Sequence, residues 1–274
     1  MTGVRMYYEV HGEDGSPVVV IHGFQGDHLL MGGFVRMLQA RNRVLLFDQR
    51  GTGQSDKPDE PYTVELIADE TVELMKHAGF SPAHVVGCSM GGVIAQEEVV
   101  LRHPDQVLSL VLGCTTSDVR RLSERDASAS ADMTSATAST ATDRQYTASE
   151  RATAVASVLF ACGFIESHPE VVLELVRQRE ALPLNQVGVK RRGESLVSWG
   201  GTTDRLSAVH CPTLVITGAE DRMVPPHLSS DLADAIPGAK LVVVPDAGHG
   251  FWIERPMETE TALTTFLDGV GTKK

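Results

Sequence analysis

Gly87-Cys88-Ser89-Met90-Gly91 follows the apolar run Val85-Val86 and opens a helical run from Val93 to Arg102, which places it at a strand-turn-helix junction. In that setting G-x-S-x-G forms a sharp elbow that lifts its middle side chain above the edge of a sheet. Glycines at 87 and 91 leave room for the backbone to fold back and for the helix to pack close. Taken alone the pattern is weak evidence, so its meaning depends on what the other strand ends carry.

Strand and helix signals alternate around this point. Arg5 to Val10 reads as an edge strand turning through Gly12 and Gly15 into Val18-Val19-Val20-Ile21. The second run has no polar alternation, as expected of a strand buried on both faces of a parallel sheet. A helical stretch from about Asp27 to Leu38 and a strand over Val44 to Phe47 come next. Thr63 to Ala78 then carries Val64, Ile67, Leu74 and Ala78 at helical spacing and closes at Gly79. Pro104 stops the helix after the elbow, and Val107 to Leu112 is a further buried strand. The sheet resumes at Pro212 to Thr217 and Leu241 to Val244, and a closing helix begins near Pro256. This alternation predicts an α/β fold with a mostly parallel, doubly wound sheet.

Between Thr115 and about Ser207 the pattern changes. Ser123 to Ser149 is rich in Ala, Ser and Thr and poor in large apolar residues, which predicts a mobile or surface segment. Helical runs follow at about Ser149 to Cys162, Pro169 to Arg179 and Asn185 to Ser198, with Ser167 and Glu170 spaced as a capping box. The expected division is a core of residues 1–114 and 207–274 with a helical cap over residues 115–206.

The chain has 274 residues, 42% hydrophobic and 22% charged, with a net charge of −12. Its length is enough for a large core, and its acidity argues against a general nucleic-acid or anionic-membrane partner. Cys88, Cys114, Cys162 and Cys211 are scattered without zinc-type spacing, so reduced thiols are expected. Neither an apolar leader nor a membrane-length apolar run is present, and a cytoplasmic location is expected. The oligomeric state is open between monomer and homodimer.

A serine hydroxyl is a poor nucleophile near pH 7 unless a base is adjacent, and that base needs an acid to fix its tautomer. Three predicted strand ends carry Ser89, Asp221 and His249, in the order Ser, Asp, His that accompanies a nucleophile elbow. Glu220 and Asp246 are the competing acids by position.

With these residues in place the chain resembles the α/β-hydrolase superfamily over nearly its full length. The matching stretches are His22-Gly23-Phe24, Asp48-x-Arg50-Gly51-x-Gly53-x-Ser55, Gly87-Cys88-Ser89-Met90-Gly91-Gly92, Gly218-x-x-Asp221-x-x-Val224-Pro225 and Gly248-His249. Ser-Met-Gly-Gly, Asp-x-x-Val-Pro and Gly-His look most like bacterial serine esterases and 3-oxoadipate enol-lactone hydrolases. The resemblance implies an α/β-hydrolase fold with an inserted cap, a Ser-His-Asp triad, and an oxyanion hole formed by the backbone N–H groups of Phe24 and Met90. It implies neither metal nor cofactor, and a small ester or lactone as substrate. C–C bond hydrolysis of meta-cleavage products, cofactor-free haloperoxidase or perhydrolase chemistry, and ligand sensing use the same fold and stay open.

Asp48, Arg50 and Ser55 read as holding a tight loop, and His22 as supporting the oxyanion loop. Lys190-Arg191-Arg192 reads as a solvated face, with a carboxylate-attracting patch as the alternative. Trp199, Trp252 and Phe160 are candidates either for lining the acyl pocket or for filling the cap interface.

Overall fold

A computed structural model describes residues 3–97, 102–125, 128, 130 and 147–270. Most of the Ala/Ser/Thr-rich stretch lies outside the described residues.

The apolar runs form a seven-stranded sheet of β1 (Tyr8–His11), β2 (Ser16–Ile21), β3 (Asn42–Phe47), β4 (Ala83–Cys88), β5 (Val107–Gly113), β6 (Thr213–Gly218) and β7 (Lys240–Val244), ordered β1-β3-β2-β4-β5-β6-β7. Every neighbouring pair is parallel except β1 with β3, where Tyr8 faces Phe47. The expected turn from β1 directly into a paired β2 is therefore replaced by a crossing. Gly12 (φ 78°) and Gly15 (φ 99°) run against the backbone of Asn42 and Arg41, where a Cβ would come within 2.2 and 2.0 Å of a carbonyl oxygen. The chain thus steps over the start of β3, which lies between β1 and β2.

Successive side chains of a strand point to opposite faces, and β2 divides its valines accordingly. Val19 and Ile21 join Leu45, Val85, Ile67, Met75, Val93 and Ile94 on one face. Val18 and Val20 join Val44, Val86, Phe34, Leu38, Leu263 and Phe266 on the other. Helices α2 (Val64–Ala78) and α3 (Met90–Glu97) cover the first face, while α1 (Gly32–Leu38) and the C-terminal helix Pro256–Val270 cover the second. Each fully buried Val, Leu, Ile or Phe contributes roughly 1.5–3 kcal/mol, so the two layers supply the driving force that holds the strand ends in register.

Helix boundaries follow local chemistry. Thr63 Oγ1 caps α2 by accepting from Leu66 N at 3.1 Å, and Gly79 (φ 73°) ends it as expected. Residues 28–31 form turns instead of helix, with Asp27 Oδ1 accepting from Leu30 N at 3.2 Å. Ser167 caps nothing: it ends the short helix Phe164–Ser167, and its hydroxyl donates back to Gly163 and Phe164 carbonyls. A capping box forms instead at Thr147 and Glu150, opening the helix Ala148–Leu159. The helix Pro226–Ala235 between β6 and β7 goes unread in the sequence, because Pro225-Pro226 looks like a breaker although Pro is well suited to a first helical turn.

Between β5 and β6 the described residues include helices Ala148–Leu159, Phe164–Ser167, Pro169–Ala181 and Gln186–Ser198. They touch the loops that leave the C-terminal ends of the strands. Arg179 reaches Asp27 and the Gln25 carbonyl, and Arg192 reaches Gln49 and the Gly23 carbonyl. Among the described residues no helix is long and apolar enough to cross a membrane.

Candidate active site

Ser89 has φ 55°, in the left-handed region that a β-carbon makes costly, on the order of 1–3 kcal/mol. The surroundings enforce it. Ser89 N donates to Gly113 O at 2.8 Å, Thr115 Oγ1 donates to Ser89 O at 2.8 Å, and α3 starts at the next residue. The glycines are sterically required: a Cβ on Gly87 would lie 2.4 Å from Gly91 O, and one on Gly91 would lie 2.1 Å from Ile21 O. Cys88 is buried packing and Ser89 is partly exposed, as an elbow that projects only its middle residue demands.

Asp221 and His249 meet at the ends of β6 and β7. His249 Nδ1 lies 2.8 Å from Asp221 Oδ2, while Asp221 Oδ1 accepts the N–H groups of Met223 and Val224, both at 2.8 Å. Both residues are 3% exposed. The acid is thus oriented by two backbone donors, and its second oxygen fixes one imidazole nitrogen. No hydrogen bond joins Ser89 Oγ to His249 in this structure. Asp246 instead reaches Arg255 at the surface.

The loop after β2 abuts the serine, since a Cβ on Gly23 would stand 3.1 Å from Ser89 Cβ. His22 holds that loop, with Nδ1 2.8 Å from Gly23 O and Nε2 3.3 Å from Gln49 N. Burial, followed by the nearby Arg192 charge, pushes the His22 pKa down to about 3, so the ring is neutral. Met90 is the first residue of α3, and its N–H is one of the four amides a helix leaves without an internal acceptor. Asp48 accepts from His28 N and Gln54 N, both at 2.8 Å, and Arg50 makes a two-point pair with Glu70, both contacts 2.7 Å. These residues hold the loop after β3 together.

Phe160 is 2% exposed and its ring fills the space beside Gly250, next to His249. Trp199 packs in the core with Met90 and Val93 and donates to Glu97 Oε1 at 2.8 Å. Trp252 packs against Phe34 and lines a cavity of about 400 Å³ with Leu29, Val171, Leu175 and Ile253, a cavity that neither Ser89 nor His249 lines. Lys190-Arg191-Arg192 is not a uniformly solvated face: Arg191 pairs with Asp59 and Glu194, and Arg192 is 1% exposed. Sequence reasoning also missed Glu254, whose buried carboxylate accepts from Gly248 N, and no local pattern marks it.

Cys114, Asp221 and His249 place a sulfur, a carboxylate oxygen and an imidazole nitrogen within 4.8 Å of one another. They suit a metal poorly. Burial pushes the Cys114 thiol well above its usual range, whereas a metal needs the thiolate, and Asp221 already accepts three hydrogen bonds.

A mostly parallel sheet with a strained serine elbow at one strand end and an Asp–His pair at two others defines a class of α/β protein built for hydrolysis. The chain belongs to the α/β hydrolase fold family, whose model matches residues 16–256. It is 30% identical to a candidate carbamate hydrolase, RutD, of Caulobacter sp. strain K31, over 96% of each chain. Its structure is similar to that of a thermophilic esterase from Thermogutta terrifontis, with TM-score 0.82, 27% identity, and coverage of 99% of this chain and 97% of that one. The enol-lactonase from Burkholderia xenovorans LB400 is similar at TM-score 0.80 and 25% identity, covering 97% and 98%.

Proposed function

We propose that this chain is a serine hydrolase that cleaves small carboxylic esters or lactones through an acyl-enzyme on Ser89. The observation that carries the reading is the 2.8 Å contact of His249 Nδ1 with Asp221 Oδ2 at the ends of β6 and β7, in the same sheet as a serine held at φ 55° at the end of β4. His249 Nε2 takes the Ser89 proton as Oγ attacks the substrate carbonyl, and Asp221 stabilises the imidazolium. The negative oxygen is received by the N–H groups of Phe24 and Met90, with the positive end of α3 nearby. The C–O bond of the tetrahedral intermediate breaks as His249 returns the proton to the leaving alcohol. Water, deprotonated by His249, then releases the acid. Residues 1–114 and 207–274 act as the hydrolase core, and 115–206 as the cap that encloses the substrate. Phe160, beside the His249 loop, is the best placed of the three aromatic candidates to touch the acyl group.

Carbamate cleavage is the second reading. The Caulobacter relative favours it, and the same attack on a carbonyl would serve it. The test is nitrophenol release from short acyl esters, with lactone and carbamate panels, comparing the wild type with Ser89→Ala. Ester or lactone turnover that vanishes in the variant is expected. Turnover of carbamates alone would move the assignment to the second reading, and turnover that survives Ser89→Ala would reject the serine mechanism.

A further inference from the structure

Arg192 is a buried cation without a buried anion. It projects from the helix Gln186–Ser198, is 1% exposed, and has no carboxylate within ion-pair distance among the described residues. Nη1 donates to Gln49 Oε1 at 2.6 Å, Nη2 donates to Gly23 O at 3.3 Å, and Nε has no partner. Burial pushes its pKa down to about 9, which leaves it charged near pH 7. Desolvating such a charge costs several kcal/mol. The cavity beside it, bordered by Gly51, Thr52 and Asn185, measures about 10 Å³. That is room for one water and for no organic acid.

Besides the Gln49 side chain, the guanidinium touches one peptide group. The Gly23 carbonyl accepts from Arg192 Nη2, from His22 Nδ1 at 2.8 Å and from Gly26 N at 3.2 Å. His22 is neutral and its Nε2 faces the Gln49 N–H, so the ring proton lies on Nδ1 and points at that carbonyl. Gln49 completes the brace: its Nε2 donates to His22 O at 2.8 Å while its Oε1 receives Arg192. The other end of the Gly23 peptide is the N–H of Phe24. Hydrogen bonds accepted at one end of an amide strengthen donation at the other.

We propose that Arg192 is a positioning residue for the oxyanion hole: from the cap it fixes and polarises the Gly23–Phe24 peptide, and the anion formed on the substrate is the counter-charge the resting structure lacks. This rests on the serine-hydrolase reading.

The experiment measures kcat and KM on a nitrophenyl ester, and the affinity of a boronic acid that forms a tetrahedral adduct on Ser89, in the wild type and in Arg192→Met, Arg192→Gln, Arg192→Lys and Ser89→Ala. Loss of a direct oxyanion donor costs about a hundredfold or more, so loss of its polariser is expected to lower kcat about tenfold. Boronate affinity should fall in parallel while KM stays within about twofold. Arg192→Lys keeps a charge but cannot reach both acceptors, so it should fall between the wild type and the neutral variants. Wild-type kcat and boronate affinity in Arg192→Met would overturn the proposal. Equal losses in all three Arg192 variants with boronate affinity unchanged would also overturn it, as the mark of a purely structural contact. Should Arg192→Met fail to fold, Arg192→Lys at least about fivefold more active than Arg192→Gln upholds the proposal, and equality of the two overturns it. Activity that survives in Ser89→Ala defeats the underlying reading instead, so the two failures are separable.

Discussion

Glu254 Oε2 accepts the Gly248 N–H at 2.7 Å, and its other oxygen, Oε1, accepts the Ala161 N–H at 2.7 Å. One buried carboxylate therefore ties the residue before His249 to the segment leaving the helix Ala148–Leu159. Glu254→Gln keeps one acceptor and turns an NH2 group against the other amide. The expected result is a loss of about 1–3 kcal/mol in denaturant unfolding, with kcat reduced because the His249 loop loses its anchor. Unchanged stability and turnover would show that the clamp is dispensable.

Asp221→Asn should leave the backbone contacts to Met223 and Val224 nearly intact, since an amide oxygen can still accept there. The amide nitrogen, however, would face His249 Nδ1 and force the wrong tautomer. Turnover should drop by roughly 10⁴-fold with the melting temperature little changed. A circular-dichroism melt beside an esterase assay separates this from unfolding.

Gly91→Ala would put a methyl group 2.1 Å from Ile21 O and 2.9 Å from His22 O, both backbone atoms that cannot step aside. Either α3 shifts or β2 does. Destabilisation on the order of 3 kcal/mol or more is expected, read from the urea midpoint. Gly79→Ala, where nothing lies within 4 Å but φ is 73°, should cost less and serves as the control for backbone strain alone.

His22 makes folding sensitive to acid. Burial and the nearby Arg192 charge push its folded pKa down to about 3 from the ordinary imidazole value of 6.5, so between those values the unfolded chain binds a proton that the folded chain refuses. Stability therefore declines as pH falls from about 6.5 towards 3, by an amount on the order of a few kcal/mol. Burial lowers the His84 pKa and adds to the same trend. His22→Gln should flatten the slope of unfolding free energy against pH between about 6 and 4. An identical slope would mean that His22 is protonated in the native state.

The legibility of this chain divides by the range of the signal. β2 to β7 announce themselves as apolar runs, and the elbow, Asp221 and His249 stand on glycine-bearing turns directly after such runs. Order along the chain then pairs Asp221 with His249, which the structure places 2.8 Å apart. The partner of β1 was not legible, because Gly12 and Gly15 signal a turn without saying what lies beneath it. Arg192 and Glu254 were not legible either. Each is a charged residue in a helical segment, and its distant partner, the Gly23 carbonyl for Arg192 and the Ala161 N–H for Glu254, arrives from far along the chain. Lys190-Arg191-Arg192 shows the limit well: of three adjacent cations, Lys190 is exposed, Arg191 pairs with Asp59 and Glu194, and Arg192 is buried.

Protein chains are synthesised from the N-terminus, and β6 and β7 join the sheet only after the whole helical insertion has been made. A nascent chain that ends anywhere before His249 can contain Ser89 and its elbow but never the Asp221–His249 contact. A fragment left by stalled synthesis before His249 thus lacks the pair that the proposed mechanism requires. Under the proposed mechanism, hydrolysis begins only with a finished sheet, and its onset in a translation reaction would time the closing of the fold.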